Sequence, residues 1–196
     1  LDFIRAVAAD GVIVAIGHTA ARDEEIRAAV DAGARLSTHL GNGAHARLPR
    51  HPNYLWSQLA EDRLVASFIF DGHHLPPEVM RVMLRAKGPA RSLLISDAVA
   101  LAGMPPGVYD TPVGGRVELH ANGRLNLAGT AFLAGSASPL LRGVENAVRF
   151  TDASLSQALA LATDQPARFL GLDDPPRGVL APGALADLVV LEGDAV

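Results

Sequence analysis

Cysteine is absent from this chain of 196 residues, and so are long apolar runs and any excess of positive charge. Without cysteine there are no disulfides and no thiolate ligands, so a metal would be held by imidazole and carboxylate, and the composition fits a reducing cytoplasm. No apolar run reaches the roughly 18 residues of a membrane span, and no signal-peptide pattern is visible. A net charge of -4 and a pI near 5.9 argue against a nucleic-acid partner.

Polar residues follow four apolar, strand-like runs at the points where the runs end. The runs are 12–16 before His18, 34–38 before His39, 65–70 before Asp71-Gly72-His73-His74, and 92–96 before Asp97. Helical patterns separate the runs, which predicts an α/β fold with a parallel sheet. Because (β/α) barrels keep their chemistry at the C-terminal ends of the strands, this pattern indicates a metal-dependent hydrolase.

The predicted elements are fewer than a complete barrel requires. A full barrel takes about 250 residues, whereas this chain starts at Leu1 inside a helix-like stretch and shows four strand–helix units. We therefore expect residues 1–177 to be the C-terminal part of a (β/α)8 barrel, with a β-hairpin insertion near 108–128 at the Asn122-Gly123 turn. Further helices are predicted over 22–31, 54–61, 78–86, 140–150 and 155–162, the last of which begins at a Ser154…Gln157 capping box. A strand is expected within 183–191.

His18 and His39 are the candidate metal ligands. A lone histidine after a buried strand is more often structural, but two on successive strands can converge on one Zn²⁺ through their ring nitrogens. A catalytic zinc ion usually takes three protein ligands. Unless Asp97 is the third, that ligand is expected upstream of Leu1.

Asp97 is the candidate general base, and the alternative is that it caps a turn. In the loop after His39, Asn42 and Arg50 suit a bound anion such as phosphate, although an exposed loop arginine is often only solvated. Of the adjacent His73 and His74, only one is expected to face the pocket, and Asp71 is expected to stabilise their turn. Ser136 could line a pocket, but no base that would activate it is visible.

A series of short motifs runs in order along nearly all of the chain. They are Gly17-His18-Thr19, Thr38-His39-Leu40-x-Asn42, Asp71-Gly72-x-His74, Ser96-Asp97-Ala98, Leu133-Ala134-Gly135-Ser136-Ala137, Gly143-Val144-Glu145-Asn146, Pro166-Ala167-Arg168 and Gly183-x-x-Ala186-Asp187-Leu188-Val189-Val190. Together they resemble the amidohydrolase superfamily and, within it, the N-acetylglucosamine-6-phosphate deacetylases. The ordered set is far more specific than any one motif.

The resemblance implies a distorted (β/α)8 barrel, of which this chain holds the last four strands, and part of a small β-sandwich that begins near residue 178. It implies His18 and His39 as ligands of a divalent metal, with Zn favoured over Fe, Co or Mn, a third ligand (a glutamate) outside this sequence, and Asp97 as acid/base. Its activity would be the hydrolysis of N-acetylglucosamine 6-phosphate to glucosamine 6-phosphate and acetate, by a cytoplasmic homodimer. The sugar phosphate would be bound by Asn42, Arg50 and His74, with Gly43 and Ser136 as further candidates.

The chain departs from the family in the loop that follows His39. Relatives usually continue Asn-Ala-Met, whereas this chain has Asn42-Gly43-Ala44-His45. The stretch 48–52 keeps Arg50 but lacks the usual acidic neighbour. Two alternatives therefore stay open: an amidohydrolase of another N-acyl or cyclic amide substrate, and a fragment that is inactive because it lacks the N-terminal metal ligands.

Overall fold

A parallel and an antiparallel sheet, with helices between and after their strands, make up the computed structural model, which describes residues 1–112, 114–172 and 174–191. The helices are α1 (Asp2–Ala9), α2 (Asp23–Asp31), α3 (Tyr54–Ala60), α4 (Pro77–Lys87), α5 (Leu140–Phe150), α6 (Leu155–Ala162) and α7 (Asp164–Phe169). The strands are β1 (Val14–Ile16), β2 (Ala34–Ser37), β3 (Val65–Phe68), β4 (Ser92–Leu94), β5 (Gly107–Thr111), β6 (Gly115–Leu119), β7 (Arg124–Leu127) and β8 (Leu133–Ser136).

The first sheet has the order β1-β2-β3-β4, and neighbouring strands pair in parallel. A helix follows each of β1, β2 and β3 before the next strand, as parallel pairing requires. All four strands therefore end at one edge of the sheet, where His18, His39, Asp71 and Asp97 follow them. The predicted α/β class is confirmed.

The core lies between the middle of this sheet and α4, α5 and α6. Phe68, Met80, Ala147 and Leu161 are fully buried in one apolar cluster. Strand β3 is buried at nearly every position because it has a strand on each side and helices over it, which explains its continuous apolar run. Strand β1 lies at the edge of the described sheet, and Val12 before it is 55% exposed.

The second sheet is the antiparallel meander β5-β6-β7-β8. The Asn122-Gly123 turn connects β6 to β7, and Gly123 has a φ of +82°, which glycine adopts without strain. Val117, Leu119 and Leu125 form a small apolar cluster of their own. The two sheets meet at β4 and β8, where Ala98 bridges to Ser136.

All five predicted helices are confirmed, and two of them have the predicted bounds. Helix α6 begins at the predicted capping box, in which Ser154 Oγ accepts from Gln157 N–H at 3.2 Å and Gln157 Oε1 accepts from Ser154 N–H at 2.9 Å. The predicted strand within 183–191 is wrong for these described residues, which contain no strand. A strand needs a hydrogen-bonding neighbour, and Leu188, Val189 and Val190 are instead exposed.

None of the described helices combines the length and the apolar character needed to cross a membrane.

Candidate functional site

Three residues at the edge where the parallel strands end have an unusual backbone conformation. His18, His39 and Asp97 have φ values of 46°, 29° and 49°, and they are the only non-glycine residues with positive φ among the described residues. Such a conformation costs about 1 kcal/mol or more for each residue, and it persists only where the surrounding structure enforces it. The strain therefore coincides with the three residues that the sequence nominates for chemistry.

The two candidate metal ligands lie side by side. His18 Nε2 and His39 Nε2 are 3.1 Å apart, and the rings are perpendicular with centroids 4.7 Å apart. Without a cation, one imidazole can donate to the other across this distance. Two ligands of a tetrahedral zinc ion with bonds of 2.0–2.1 Å would lie roughly 3.4 Å apart, so these two nitrogens fit as part of a ligand set.

Hydrogen bonds from the central strand hold His39 in place. Its backbone N–H donates to Ser67 Oγ at 2.8 Å, and Ser67 Oγ donates to Ser37 O at 3.2 Å. The next residue, Leu40, donates its N–H to Ser67 O at 2.8 Å. His39 is 8% exposed, and its Nδ1 is buried without a hydrogen-bond partner among the described residues. The hydrogen bonds from β3 thus fix the backbone of His39, while its ring contacts His18.

The loop after His39 closes over the same histidines. Gly43 packs against the His18 ring so closely that an added Cβ would lie 2.5 Å from His18 Nδ1. Asn42 donates its N–H to His39 O at 2.9 Å, and its side-chain Nδ2 is buried without a partner among the described residues. His18, Asn42, Gly43 and Tyr54 line one pocket here. The structure thus brings two predicted substrate-binding residues to the imidazole pair.

Asp71 and His74 form a second, tightly bonded unit after β3. Asp71 Oδ1 accepts from the N–H groups of His73 and His74 at 2.8 and 2.9 Å, as expected for a residue that stabilises the turn. Its Oδ2 also accepts from His74 Nδ1 at 2.8 Å. Burial favours a raised pKa for Asp71, but these hydrogen bonds outweigh it and hold the pKa below its ordinary value.

Asp97 lies at the same sheet edge but apart from the imidazole pair. The sheet order places β4 two strands beyond β2, and no group of three His, Asp or Glu side chains in the described ranges could hold a metal ion. Within the described residues, Asp97 therefore does not complete a three-ligand group with His18 and His39. Its carboxylate is exposed and accepts no hydrogen bond from the described residues, whereas a turn cap would accept one.

Ser136 and Arg50 have contrasting surroundings. Ser136 is 1% exposed at the end of β8, its carbonyl accepts from Val99 N–H at 2.9 Å, and its Oγ accepts from Ser138 N–H at 3.3 Å. It therefore lies beside the Asp97 turn, and its hydroxyl hydrogen remains available to donate. Arg50 is exposed, and its guanidinium has no partner within the described part of the chain.

Sequence reasoning missed two parts of this site. Ser67 gave no signal, because a serine inside an apolar run reads as an ordinary strand residue. Asp71 was expected only to stabilise its turn, although its spacing of three residues from His74 is a common distance for a side-chain pair across a turn. Both roles depend on hydrogen bonds that only the folded chain displays.

Comparison with known proteins shows which proteins the chain is similar to. Residues 106–196 match the model of the amidohydrolase family. The chain is 34% identical over 194 residues to N-acetylglucosamine-6-phosphate deacetylase of Vibrio furnissii, covering 99% of this chain and 47% of that protein. In these two comparisons the chain is similar to the amidohydrolase family and to a deacetylase of an amino-sugar phosphate. It is also 36% identical over 192 residues to N-acetylgalactosamine-6-phosphate deacetylase of Escherichia coli O157:H7, covering 98% of this chain and 50% of that protein.

Solved structures of such deacetylases are similar to the chain as well. A variant of N-acetyl-D-glucosamine-6-phosphate deacetylase from Mycobacterium smegmatis, in complex with N-acetyl-D-glucosamine-6-phosphate, superposes with a TM-score of 0.88 at 37% identity, covering 99% of this chain and 51% of that one. The enzyme from Thermotoga maritima gives a TM-score of 0.85 at 27% identity, with coverages of 99% and 52%. The chain therefore spans about half the length of the relatives it matches.

Proposed function

We propose that this chain supplies metal-binding and substrate-binding residues of a metal-dependent deacetylase, which hydrolyses the acetamido group of N-acetylglucosamine 6-phosphate to glucosamine 6-phosphate and acetate. The observation that carries the proposal is the approach of His18 Nε2 to His39 Nε2, 3.1 Å apart, in a chain similar to such deacetylases over almost all its length. The proposal includes completion of the sheet into a (β/α)8 barrel over residues 1–177 and a small β-domain from residue 178.

His18 and His39 would hold the divalent cation, for which zinc suits two imidazoles best. When bound, the cation would polarise the amide carbonyl and lower the pKa of a water molecule. His39 is buried and fixed by Ser67, while His18 is exposed at the sheet edge, so His39 would be the rigid ligand and His18 the adaptable one.

Asp97 would transfer the proton in this reaction. Its exposed carboxylate has no hydrogen-bond partner in the described residues, so it is free to accept a proton from the attacking water and to donate it to the leaving nitrogen. Changing it to asparagine keeps the shape of the side chain but removes the base.

Arg50 would bind the phosphate, and Asn42, Gly43, His74 and Ser136 would surround the sugar. An arginine binds phosphate through charge-assisted hydrogen bonds, and Arg50 has no acidic partner among the described residues to compete with that anion. We infer that N-acetylgalactosamine 6-phosphate is the second candidate substrate, because the Escherichia coli relative is 36% identical to this chain. We also propose the predicted homodimer and a cytoplasmic location.

The experiment measures acetate release from both N-acetylated sugar 6-phosphates and from unphosphorylated N-acetylglucosamine, with added Zn²⁺. Asp97→Asn should lower kcat by about a hundredfold or more, a typical contribution of general acid–base catalysis, while Zn²⁺ content stays unchanged. The control Asp10→Asn, at the exposed end of α1, should turn over normally. Full turnover by Asp97→Asn would refute the proton-transfer role.

A matched pair of arginines tests the phosphate contact. Arg50→Ala should raise KM for the phosphorylated sugar and leave KM for the unphosphorylated one unchanged, whereas Arg47→Ala, in the same exposed loop, should change neither. An unchanged KM for Arg50→Ala removes the phosphate assignment. The chain should be assayed alone and joined to the half of a relative that it does not match, which separates an inactive fragment from a wrong substrate.

A further inference from the structure

The carboxylate of Asp71 determines which ring nitrogen of His74 carries the proton. Asp71 is ionised at neutral pH because three donors from the following turn hold its pKa down, and a carboxylate can only accept hydrogen bonds. The 2.8 Å contact between Asp71 Oδ2 and His74 Nδ1 therefore requires the proton on Nδ1. A neutral imidazole has one such proton, so Nε2 presents a lone pair.

The surroundings leave that lone pair free and the ring rigid. His74 Nε2 has no hydrogen-bond partner in the described ranges, and the side chains of Asp71 and His74 are only 5% and 10% exposed. Asn146 Nδ2 donates to Phe70 O at 2.7 Å and so fixes the end of β3 where the turn begins. The ring is held in one orientation at the sheet edge that carries His39.

A lone pair recognises a different group from the one a cation recognises. A neutral Nε2 repels a phosphate oxygen, since both atoms are acceptors, whereas it can accept a hydrogen bond from a hydroxyl group. Arg50 already provides a permanent positive charge for the phosphate. The free acceptor at His74 therefore suits the hydroxyl-bearing part of the sugar.

We infer that Asp71 is a positioning residue, which holds His74 as the Nδ1–H tautomer so that His74 Nε2 accepts a hydrogen bond from a hydroxyl group of the bound sugar. The identity of the ligand rests on the proposed function, but the tautomer does not. Asp71→Asn is the sharp test because the asparagine Oδ1 can still accept from the N–H groups of His73 and His74. Its amide nitrogen, however, must donate to His74 Nδ1 and so drives the ring proton to Nε2.

The tautomer is measured by nitrogen-15 NMR of the histidine rings in the whole chain, with His74→Gln used to assign the resonance. In the wild-type chain, His74 Nε2 should resonate as an unprotonated ring nitrogen, and in Asp71→Asn the two nitrogens should exchange their character. His120, which is half exposed and far from Asp71 along the chain, supplies an internal control resonance. A protonated Nε2 in the wild-type chain, or an unaltered tautomer in Asp71→Asn, would overturn the inference.

Glucosamine 6-phosphate then tests what Nε2 contacts, because this product cannot be deacetylated. A shift of the Nε2 resonance with the ring still neutral supports the hydroxyl contact. Conversion of the ring to an imidazolium would indicate phosphate binding, and an unchanged resonance would indicate no contact with the sugar. Either result would overturn the inferred hydroxyl contact. Failure of the proposed function shows separately, as a lack of acetate release by a chain whose His74 tautomer is as inferred.

Kinetics distinguish positioning from a general structural effect. Asp71→Asn should raise KM about tenfold, the cost of one hydrogen bond, with kcat little changed. The same substitution in a His74→Gln background should leave KM unchanged, because the imidazole that Asp71 positions is absent. Equal KM increases in the two backgrounds would refute the positioning role.

Discussion

Lys87 is the only lysine in the chain, and its side chain is completely buried, with 0% exposure. Its Nζ donates to Gln58 O at 2.9 Å and to Glu61 O at 2.7 Å, two carbonyls at the end of α3. Loss of hydration disfavours the ammonium, and Arg91 adds repulsion, so the pKa of Lys87 is lowered to about 8. We predict that this single group makes the stability of the fold rise at alkaline pH.

The sign and size of the effect follow from proton linkage. Below pH 8 the lysine is protonated in both the folded and the unfolded chain. The buried charge then destabilises the fold by up to about 3 kcal/mol, which corresponds to a pKa of about 8 in the folded chain against 10.5 in the unfolded chain. Between these values the unfolded chain binds a proton that the folded chain does not, so stability rises with pH. Above pH 10.5 the amine is neutral in both states and the cost is gone.

Two measurements test this prediction. With lysine labelled at Cε, the chain has one lysine NMR signal, which should titrate near pH 8. In urea unfolding, the free energy of wild type minus that of Lys87→Met should grow by up to about 3 kcal/mol from pH 8 to 10.5, because methionine does not titrate. As a control, Arg91→Gln should raise the pKa of Lys87. A titration midpoint near 10.5 would refute the reasoning.

Two further predictions concern glycine and capping positions. Gly33→Ala places a methyl group 2.6 Å from Ala8 Cβ at a φ of +118°, so it should lower the free energy of unfolding by more than about 2 kcal/mol. Gly171→Ala, at φ +67° in open space, should lower the free energy of unfolding by about 1 kcal/mol. If urea unfolding gave equal losses of stability for the two variants, the contact with Ala8 would be unimportant. Asn53→Ala removes the cap that accepts from two N–H groups of α3, so it should cost about 1 kcal/mol and raise KM, because the loop before α3 carries substrate-binding residues. Ser154→Ala, which removes the cap of α6, should cost a similar amount without changing KM, and a KM increase in both variants would contradict this.

Local patterns in the sequence were sufficient to predict most of the helices and the parallel strands, but strand β8 lies outside the predicted hairpin near 108–128. The apolar run that contains β3 and the capping box at Ser154 each depend on residues a few positions apart, and the folded chain confirms both. The tail was predicted wrongly for the complementary reason. Residues such as Val189 have the composition of a strand, but a strand forms only when another strand provides hydrogen bonds.

For the candidate site, too, some features could be predicted from local sequence patterns and others could not. Its position after the ends of parallel strands follows from alternating strands and helices, because all such strands end at one edge, and so His18 and His39 could be named in advance. Their approach to 3.1 Å could not, since it depends on strand register and on a bond from Ser67, 28 positions further along the chain. The exposure of Asp97 was likewise invisible in its neighbours along the sequence.

By itself, the order of residues determined where strands and helices form, which end of the sheet carries polar groups and which superfamily the chain resembles. Tertiary structure alone decided that two imidazole nitrogens meet, that Asp71 sets the proton on His74, and that the single lysine is buried. The physical reason is range: periodicity and capping act within a few residues, whereas convergence, tautomer and desolvation arise from contacts between segments that only folding brings together.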